Sequence, residues 1–396
     1  MSTQMKIFLL LETSRAFGRG LMRGVIRWSR LNGRTLLIGS VGHFEREVPK
    51  IGRKENAGII AMISSVKQCH AIRKTGLPVV AVNPMFDAIE EACEQMAMSR
   101  IDSNEEKMVV MAADHFLGNG FKHFAYCGIP HNRTWVEARG RYFRQYLAEK
   151  GHDCQTYPCP FKPQVPFQWE KDSRYLAKWL QSLPYGTALL ACNDDRGRHI
   201  LELCSSEKID VPRRLAVVGI DDDELICELT NPPLSSVALD VQTGGFQAME
   251  LLAELMDNPK TGNRAIYINP LYVTERQSSD FYAFDDPLIV KALRFIKDNF
   301  LTPIGVEDVI GAMGVSRRTL ERRFEEIVGH SIRDAIVFRR YERAKRLLLN
   351  TDYSINKVSV LSGFCQLQQM QRVFQAVDHC TPSEFRRTNQ EPHKEK

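Results

Sequence analysis

None of the ten cysteines forms a CxxC pair, and the nearest two, Cys154 and Cys159, have no histidine cluster beside them. Thiolate–imidazole zinc sites need such spacings, so no metal is expected, and nothing implies a cofactor. Reduced, mostly buried thiols are expected instead, as in a cytosolic protein. No apolar run approaches the roughly 18–20 residues of a membrane-spanning helix. The apolar part of "MSTQMKIFLLLETSR" is also too short for a signal peptide. A cytoplasmic protein with no membrane partner is therefore expected. The phosphate loop GxxxxGK[ST], the GxSxG elbow and HExxH are all absent, as are low-complexity tracts. Excess positive charge is missing from most of the chain. Residues 1–286 hold 34 Lys+Arg against 35 Asp+Glu, whereas the residues from Pro287 onward hold 19 against 13. The net charge of +5 thus comes from the last quarter, which points to a polyanionic partner for that end.

What is present in the first 280 or so residues is alternation. Short apolar runs such as "KIFLLLE", "AGIIAMIS", "PVVAVN", "HFAYCGI", "ALLACND" and "LAVVGID" read as strands, with amphipathic helices such as "RGLMRGVIRWSRLNG" between them. Continuous apolar strands separated by helices predict parallel sheet covered on both faces. The units are too many for one compact sheet, so two doubly wound α/β lobes are expected, with a ligand cleft at the carboxyl ends of the strands. The expected boundaries are 1–277 for this part, 278–287 for a linker, 288–386 for a helical domain and 387–396 for a tail.

The helical domain contains a weak repeat, "VEDVIGAMGVSRRTLERRFEE" echoed by "INKVSVLSGFCQLQQMQRVFQ". Each copy reads as helix, glycine-containing turn and second helix, which is helix-turn-helix geometry. In the first copy Val306, Val309, Ile310 and Met313 form one buried face, Gly314 makes the turn and Ser316 caps the next helix. On that second helix Leu320, Phe324 and Ile327 share one side. At about 100° per residue, Arg318 and Arg322 lie opposite it, with Arg317 and Arg323 on the flanks. In the second copy Met370, Val373, Phe374 and Val377 are expected inside, leaving Gln368, Gln369, Arg372 and Gln375 as reading residues. Arginine and glutamine suit guanine and adenine edges in the major groove, and arginine also suits phosphates. "SIRDAIVFRRYERAKRLLLN" reads as the helix joining the two readers. A charged helix face is ordinarily just a solvated face; the repeat, the joining helix and the charge asymmetry together favour DNA.

Residues 288–386 resemble the AraC/XylS-type DNA-binding domain, through "GVSRRTLERRF", "RRYERAKRLLLN", "INKVSVLSGF" and "TPSEFRR". The chain departs from that pattern at His379 and Cys380, where a glycine is usual, and at Gln375 and Ala376, where a basic pair is common.

Polar residues at expected strand ends and helix starts are the pocket candidates. They are Glu12, Ser14, Phe17 and Arg19 after the first strand, Arg139 on "WVEARGRYF", Asn193 and Asp194, and Asp221 and Asp222. A set of carboxylate, arginine and amide suits a polyhydroxy ligand, with Phe17 or Trp135 stacking on an apolar sugar face. The N-terminal part resembles the LacI/GalR and type I periplasmic sugar-binding fold, through "VVGIDDDEL", "EARGRYF", "CND" and "LSSVALD". That resemblance implies sugar contacts for Asp221, Arg139, Asn193 and Asp194. Along its whole length, through "RHILELC", "VVGID", "LSSVA" and "WLQSLP", the chain resembles the family of xylose operon regulators. The resemblance implies a homodimeric transcription activator whose effector is D-xylose or a related monosaccharide, and whose other partners are promoter DNA and RNA polymerase. Glu12 and Asn193 depart from the Asn and Thr expected in those places. Two other classes stay open: a sugar- or nucleoside-acting enzyme using Asp221 and Asp222, and an architectural DNA-binding protein whose N-terminal part only dimerises. Adjacent acids on one loop rarely have the opposed geometry that hydrolysis needs.

Overall fold

The structure, a computed structural model, describes residues 5–33, 36–39, 57–83, 87–96, 98–129, 134–160, 169–258 and 264–389. It divides into two compact units, Met1–Leu117 with Lys122–Phe281, and Gly118–Phe121 with Tyr282–Lys396.

The first unit runs β1 (Met5–Leu10), α1 (Ala16–Leu31), β2 (Leu36–Gly39), β3 (Ala57–Met62), α2 (Val66–Lys74), β4 (Val79–Val82), α3 (Asp87–Gln95) and β5 (Ser99–Ser103). It continues with α4 (Glu105–Gly118), β6 (His123–Cys127), α5 (Thr134–Glu149), β7 (Cys154–Thr156), α6 (Trp169–Ser182), β8 (Thr187–Ala191) and α7 (Asp194–Ser206). Then follow β9 (Leu215–Asp221), α8 (Glu224–Leu229), β10 (Ser235–Leu239), α9 (Val241–Asp257), β11 (Ala265–Ile268) and β12 (Pro270–Thr274). The described strands form two sheets, ordered β11-β5-β4-β3-β1-β2 and β12-β10-β9-β8-β6-β7. All pairings are parallel except β10 with β12. The β8 and β9 runs are almost wholly buried because helices cover both sheet faces.

The chain passes between the lobes from β5 to α4, from β10 to α9 and from β11 to β12. These crossings are tied together: Asn104 Nδ2 donates to Asn269 Oδ1 (3.0 Å) and the Asp240 amide donates to the Asn269 carbonyl (2.9 Å). Such adjacent crossings leave lobe rotation as the soft motion of the unit. On the first lobe α1 and α9 cross at Gly24 and Gly245. A Cβ on either glycine would run into backbone of the other helix. Within the expected linker, Ser278 and Ser279 are fully buried. Ser278 donates to the carbonyls of Pro233 (from its amide, 3.0 Å) and Val217 (from its hydroxyl, 2.6 Å), so this stretch is packed rather than free.

The second unit is helical: α10 (Pro287–Asn299), α11 (Val306–Met313), α12 (Arg317–Val328), α13 (Ile332–Asn350), α14 (Ile355–Leu361), α15 (Leu367–Val377) and α16 (Pro382–Asn389). Gly314 at φ 67° ends α11, and Ser316 Oγ accepts from the Thr319 amide to open α12. α13 serves two cores. Its Ile332, Ala335 and Ile336 pack with α10–α12, while Tyr341, Ala344, Leu347 and Leu348 pack with α14–α16. Two expected core residues lie outside. Ile327 is 37 % exposed and Val377 56 % exposed; on α12 the inward row runs Leu320, Phe324, Val328 at i+4 spacing and leaves Ile327 to one side. Val328 packs on the first core instead. The expected tail beyond Asn389 lies outside the described residues. Among them, no helix is long and apolar enough to cross a membrane.

Candidate functional site

Between the two lobes lies a cavity of about 470 Å³ at the carboxyl ends of the strands. Six of the expected ligand residues line it: Glu12, Phe17, Trp135, Arg139, Asn193 and Asp221. Seven others that sequence reasoning missed join them: Arg15, Gly18, Met62, Ser64, Asn83, Ser103 and Asp195. Met62 and Ser103 end β3 and β5, and Asn83 follows β4, so the rule that ligands sit at strand ends, applied to every strand, would have found these.

The acids of the cavity differ in state. Hydrogen bonds from Ser14 hold the Glu12 carboxyl below its usual range, so it is ionised. Burial pushes the Asp221 carboxyl up to about 7, although the Arg139 guanidinium opposes the shift. Asp221 also sits at φ 115°, a conformation an L-residue adopts only when its surroundings impose it, and such strain gathers at functional sites. Arg139 is 4 % exposed. Its Nε donates to Glu105 Oε2 at 2.5 Å, its Nη1 to the Cys192 carbonyl, and its guanidinium lies over the Trp135 ring at 4.6 Å. One face of Trp135 is therefore taken by arginine. Asn193 has a second job, since its Oδ1 accepts from the Arg196 amide and caps α7 (3.0 Å). Asn83 is held by paired bonds with Ser103, both 2.8 Å.

Three expected ligand residues are occupied elsewhere. Asp194 is buried, accepting from Ser236 Oγ (2.5 Å) and from the Asp223 amide (2.8 Å). Asp222 turns away from Asp221, accepting from Arg276 Nη1 (2.8 Å) and Thr274 Oγ1 (2.6 Å). Arg19 pairs with Asp223. The backbone is at positive φ at both Asp221 (115°) and Asp222 (48°), and the bonds from Arg276 and Thr274 hold Asp222 outside the cavity that Asp221 lines.

In the second unit Arg318 and Arg322 project into solvent from α12, as do Gln368, Arg372 and Gln375 from α15; Gln369 is half-buried. Arg322 pairs with Glu326 one turn away (2.9 Å) and Arg317 with Glu321 (3.1 Å) and Glu307. Such solvent-exposed pairs contribute little to stability. Arg323 differs. It binds Asp286, the residue capping α10, and so holds α12 against that helix.

Comparison with known proteins agrees with both halves. Residues 113–279 match the family model of a periplasmic binding protein-like domain, and residues 310–388 that of a helix-turn-helix domain. The xylose operon regulatory protein of Escherichia coli K12 is 32 % identical over 388 residues, covering 98 % of each chain. The chain belongs to the xylose operon regulatory protein family. That of Haemophilus influenzae is 31 % identical over 387 residues, covering 96 % of this chain and 98 % of the relative. A solved xylose-binding transcription activator superposes with a TM-score of 0.61 at 31 % identity, over 99 % of this chain and 100 % of its own. Membership makes the molecule a sugar-responsive, DNA-binding transcription regulator with its sensor first and its reading domain last. The order of the two halves is that of these relatives, since each alignment covers nearly all of both chains.

Proposed function

We propose that this regulator binds a monosaccharide, D-xylose or a related pentose, in the cavity between its lobes, and acts as a cytoplasmic homodimeric activator on two DNA half-sites. The observation that carries the reading is the cavity itself. An ionised Glu12, Asp221, the Arg139 guanidinium and the amides of Asn83 and Asn193 line one half-open cleft with Phe17. Hydroxyls donate to the carboxylates and accept from the arginine and amides, while the Phe17 ring meets the apolar sugar face. The relative whose structure is solved binds xylose by its description, which supports the same class of ligand here. Sugar favours the lobe arrangement it binds best, and that arrangement alters how two reading domains meet DNA. Promoter recruitment of RNA polymerase follows from the activator reading. An enzyme using Asp221 and Asp222 as its paired acids is disfavoured because Asp222 is committed to Arg276 and does not line the cavity.

Titrating the full-length protein calorimetrically with xylose, arabinose, ribose, glucose and galactose tests the sensor. One sugar should bind in the micromolar to millimolar range, with Arg139→Ala silent. Silence of the wild type toward all five would remove sugar from the reading. For the reader, Arg318→Ala and Arg322→Ala should each weaken specific operator binding by about 1–3 kcal/mol and leave sugar affinity intact. Operator affinity equal to wild type in both variants would take α12 out of the major groove. Arg323→Ala should instead lower thermal stability through loss of its bond to Asp286.

A further inference from the structure

We propose that Asp223 and Arg19 form a latch across the cleft, positioning residues that hold the effector-binding arrangement of the lobes without touching the effector. The proposal rests on the sugar-binding reading above.

α1 begins unaided. Arg15 stands at its N-cap position and makes no side-chain cap, and its first turn contains no acid. The free amides and positive end of a 16-residue helix call for a carboxylate. It comes from the other lobe. Asp223, in the loop after β9, accepts from the Ala16 amide at 2.7 Å and from Arg19 Nη2 at 3.2 and 3.3 Å. Asp223 is 3 % exposed, so its carboxylate is sheltered from water, while the Arg19 side chain that bonds it is 34 % exposed.

Both ends of the latch are anchored in their lobes. On the first lobe, Arg19 Nη1 donates to the carbonyls of Thr13 (3.2 Å) and Ser14 (2.7 Å), fixing the loop that carries Glu12 and Arg15 into the cavity. On the second, the Asp223 amide donates to Asp194 Oδ2, and Asp194 is fixed in turn by Ser236. Asp194 adjoins Asn193 and Asp195, which line the cavity. At the rim Arg15 adds a bidentate pair with Asp195 (2.9 and 3.1 Å). Neither Asp223 nor Arg19 lines the cavity. Bonds that exist only when the lobes are together raise the fraction of molecules competent to bind, and apparent affinity scales with that fraction.

The test uses the full-length protein with Asp223→Ala and Arg19→Met. Sugar affinity should fall about tenfold in Asp223→Ala and less in Arg19→Met, with the double variant no weaker than Asp223→Ala alone. Hydrogen–deuterium exchange over residues 13–19 without sugar should accelerate in both variants, and saturating sugar should slow it again. A purely structural role would lower the melting temperature and leave these two readouts unlinked. If Asp223→Ala does not fold, Arg19→Met decides. Wild-type affinity together with unchanged exchange in Arg19→Met would overturn the latch. If wild-type protein binds none of the five sugars, the sugar reading fails, and unchanged exchange over residues 13–19 would then overturn the latch separately.

Discussion

Asp221→Asn is expected to weaken effector binding by about two to three orders of magnitude while leaving the fold intact. A carboxylate accepting two sugar hydroxyls makes two charge-assisted bonds of about 1.5–3 kcal/mol each, and the amide replaces only part of that. Asparagine tolerates positive φ better than most residues, so the backbone at this strained position is kept. A carboxyl pushed up to about 7 by burial also opposes folding at neutral pH. It binds protons in the native state that the unfolded chain releases near its ordinary value of about 3.9, so its contribution to stability is lost as pH rises from there through about 7. The variant removes that cost, and melting temperature at pH 7.5 should stay level or rise, the usual trade of stability against function. Effector affinity in the wild type should fall as pH falls through about 7, because the ionised carboxylate accepts hydroxyl hydrogen bonds more strongly than the protonated acid. Proton release on binding, read by calorimetry in buffers of different ionisation enthalpy, should vanish in Asp221→Asn. Unchanged affinity in the variant would remove Asp221 from the site.

The largest stability effect is expected at Arg196, which is fully buried at the start of α7. Its Nη1 donates to Asp172 Oδ2 (2.6 Å) and to His199 Nδ1 (3.0 Å), and Tyr157 OH donates to Asp172 Oδ1 (2.6 Å). Burial and the neighbouring guanidinium push His199 down to about 4, so the imidazole is neutral and can accept. Arg196→Met strands the Asp172 carboxylate in the core, at a cost of about 3–5 kcal/mol. Melting temperature should drop by roughly 10 °C. Because this network lies behind the capping residue Asn193, effector binding should weaken as well. Arg196→Met with Asp172→Leu should recover most of the loss, since a well-packed apolar pair is often as stable as a buried ion pair. A melting temperature within about 2 °C of wild type for Arg196→Met would show that the pair carries little of the fold.

Sequence alone determined the two-part architecture, and the reasons lie in local pattern. Apolar runs such as β3, β8 and β9 leave helix-covered parallel strands as the arrangement that hides them. Gly314, Ser316 and the apolar spacing around them specify helix, turn and helix within some twenty residues. β5, reading SRIDS, escaped the same treatment because its polar side chains are satisfied by partners elsewhere. Asn83 bonds Ser103, and Arg100 bonds Asp102, Glu90 and Glu94. The site divides along the same line. Residues that follow long apolar strands, Glu12, Asn193 and Asp221, were legible. Which acid faces the cavity and which turns to a structural arginine was not. Asp222 and Asp223 are indistinguishable from Asp221 by composition, yet Arg276 takes one and Arg19 the other, the second from 204 residues away. Arg323 likewise resembles Arg322 until α10 brings Asp286 against it. A side chain's job depends on which distant segment folding delivers beside it, and only the tertiary structure decides that.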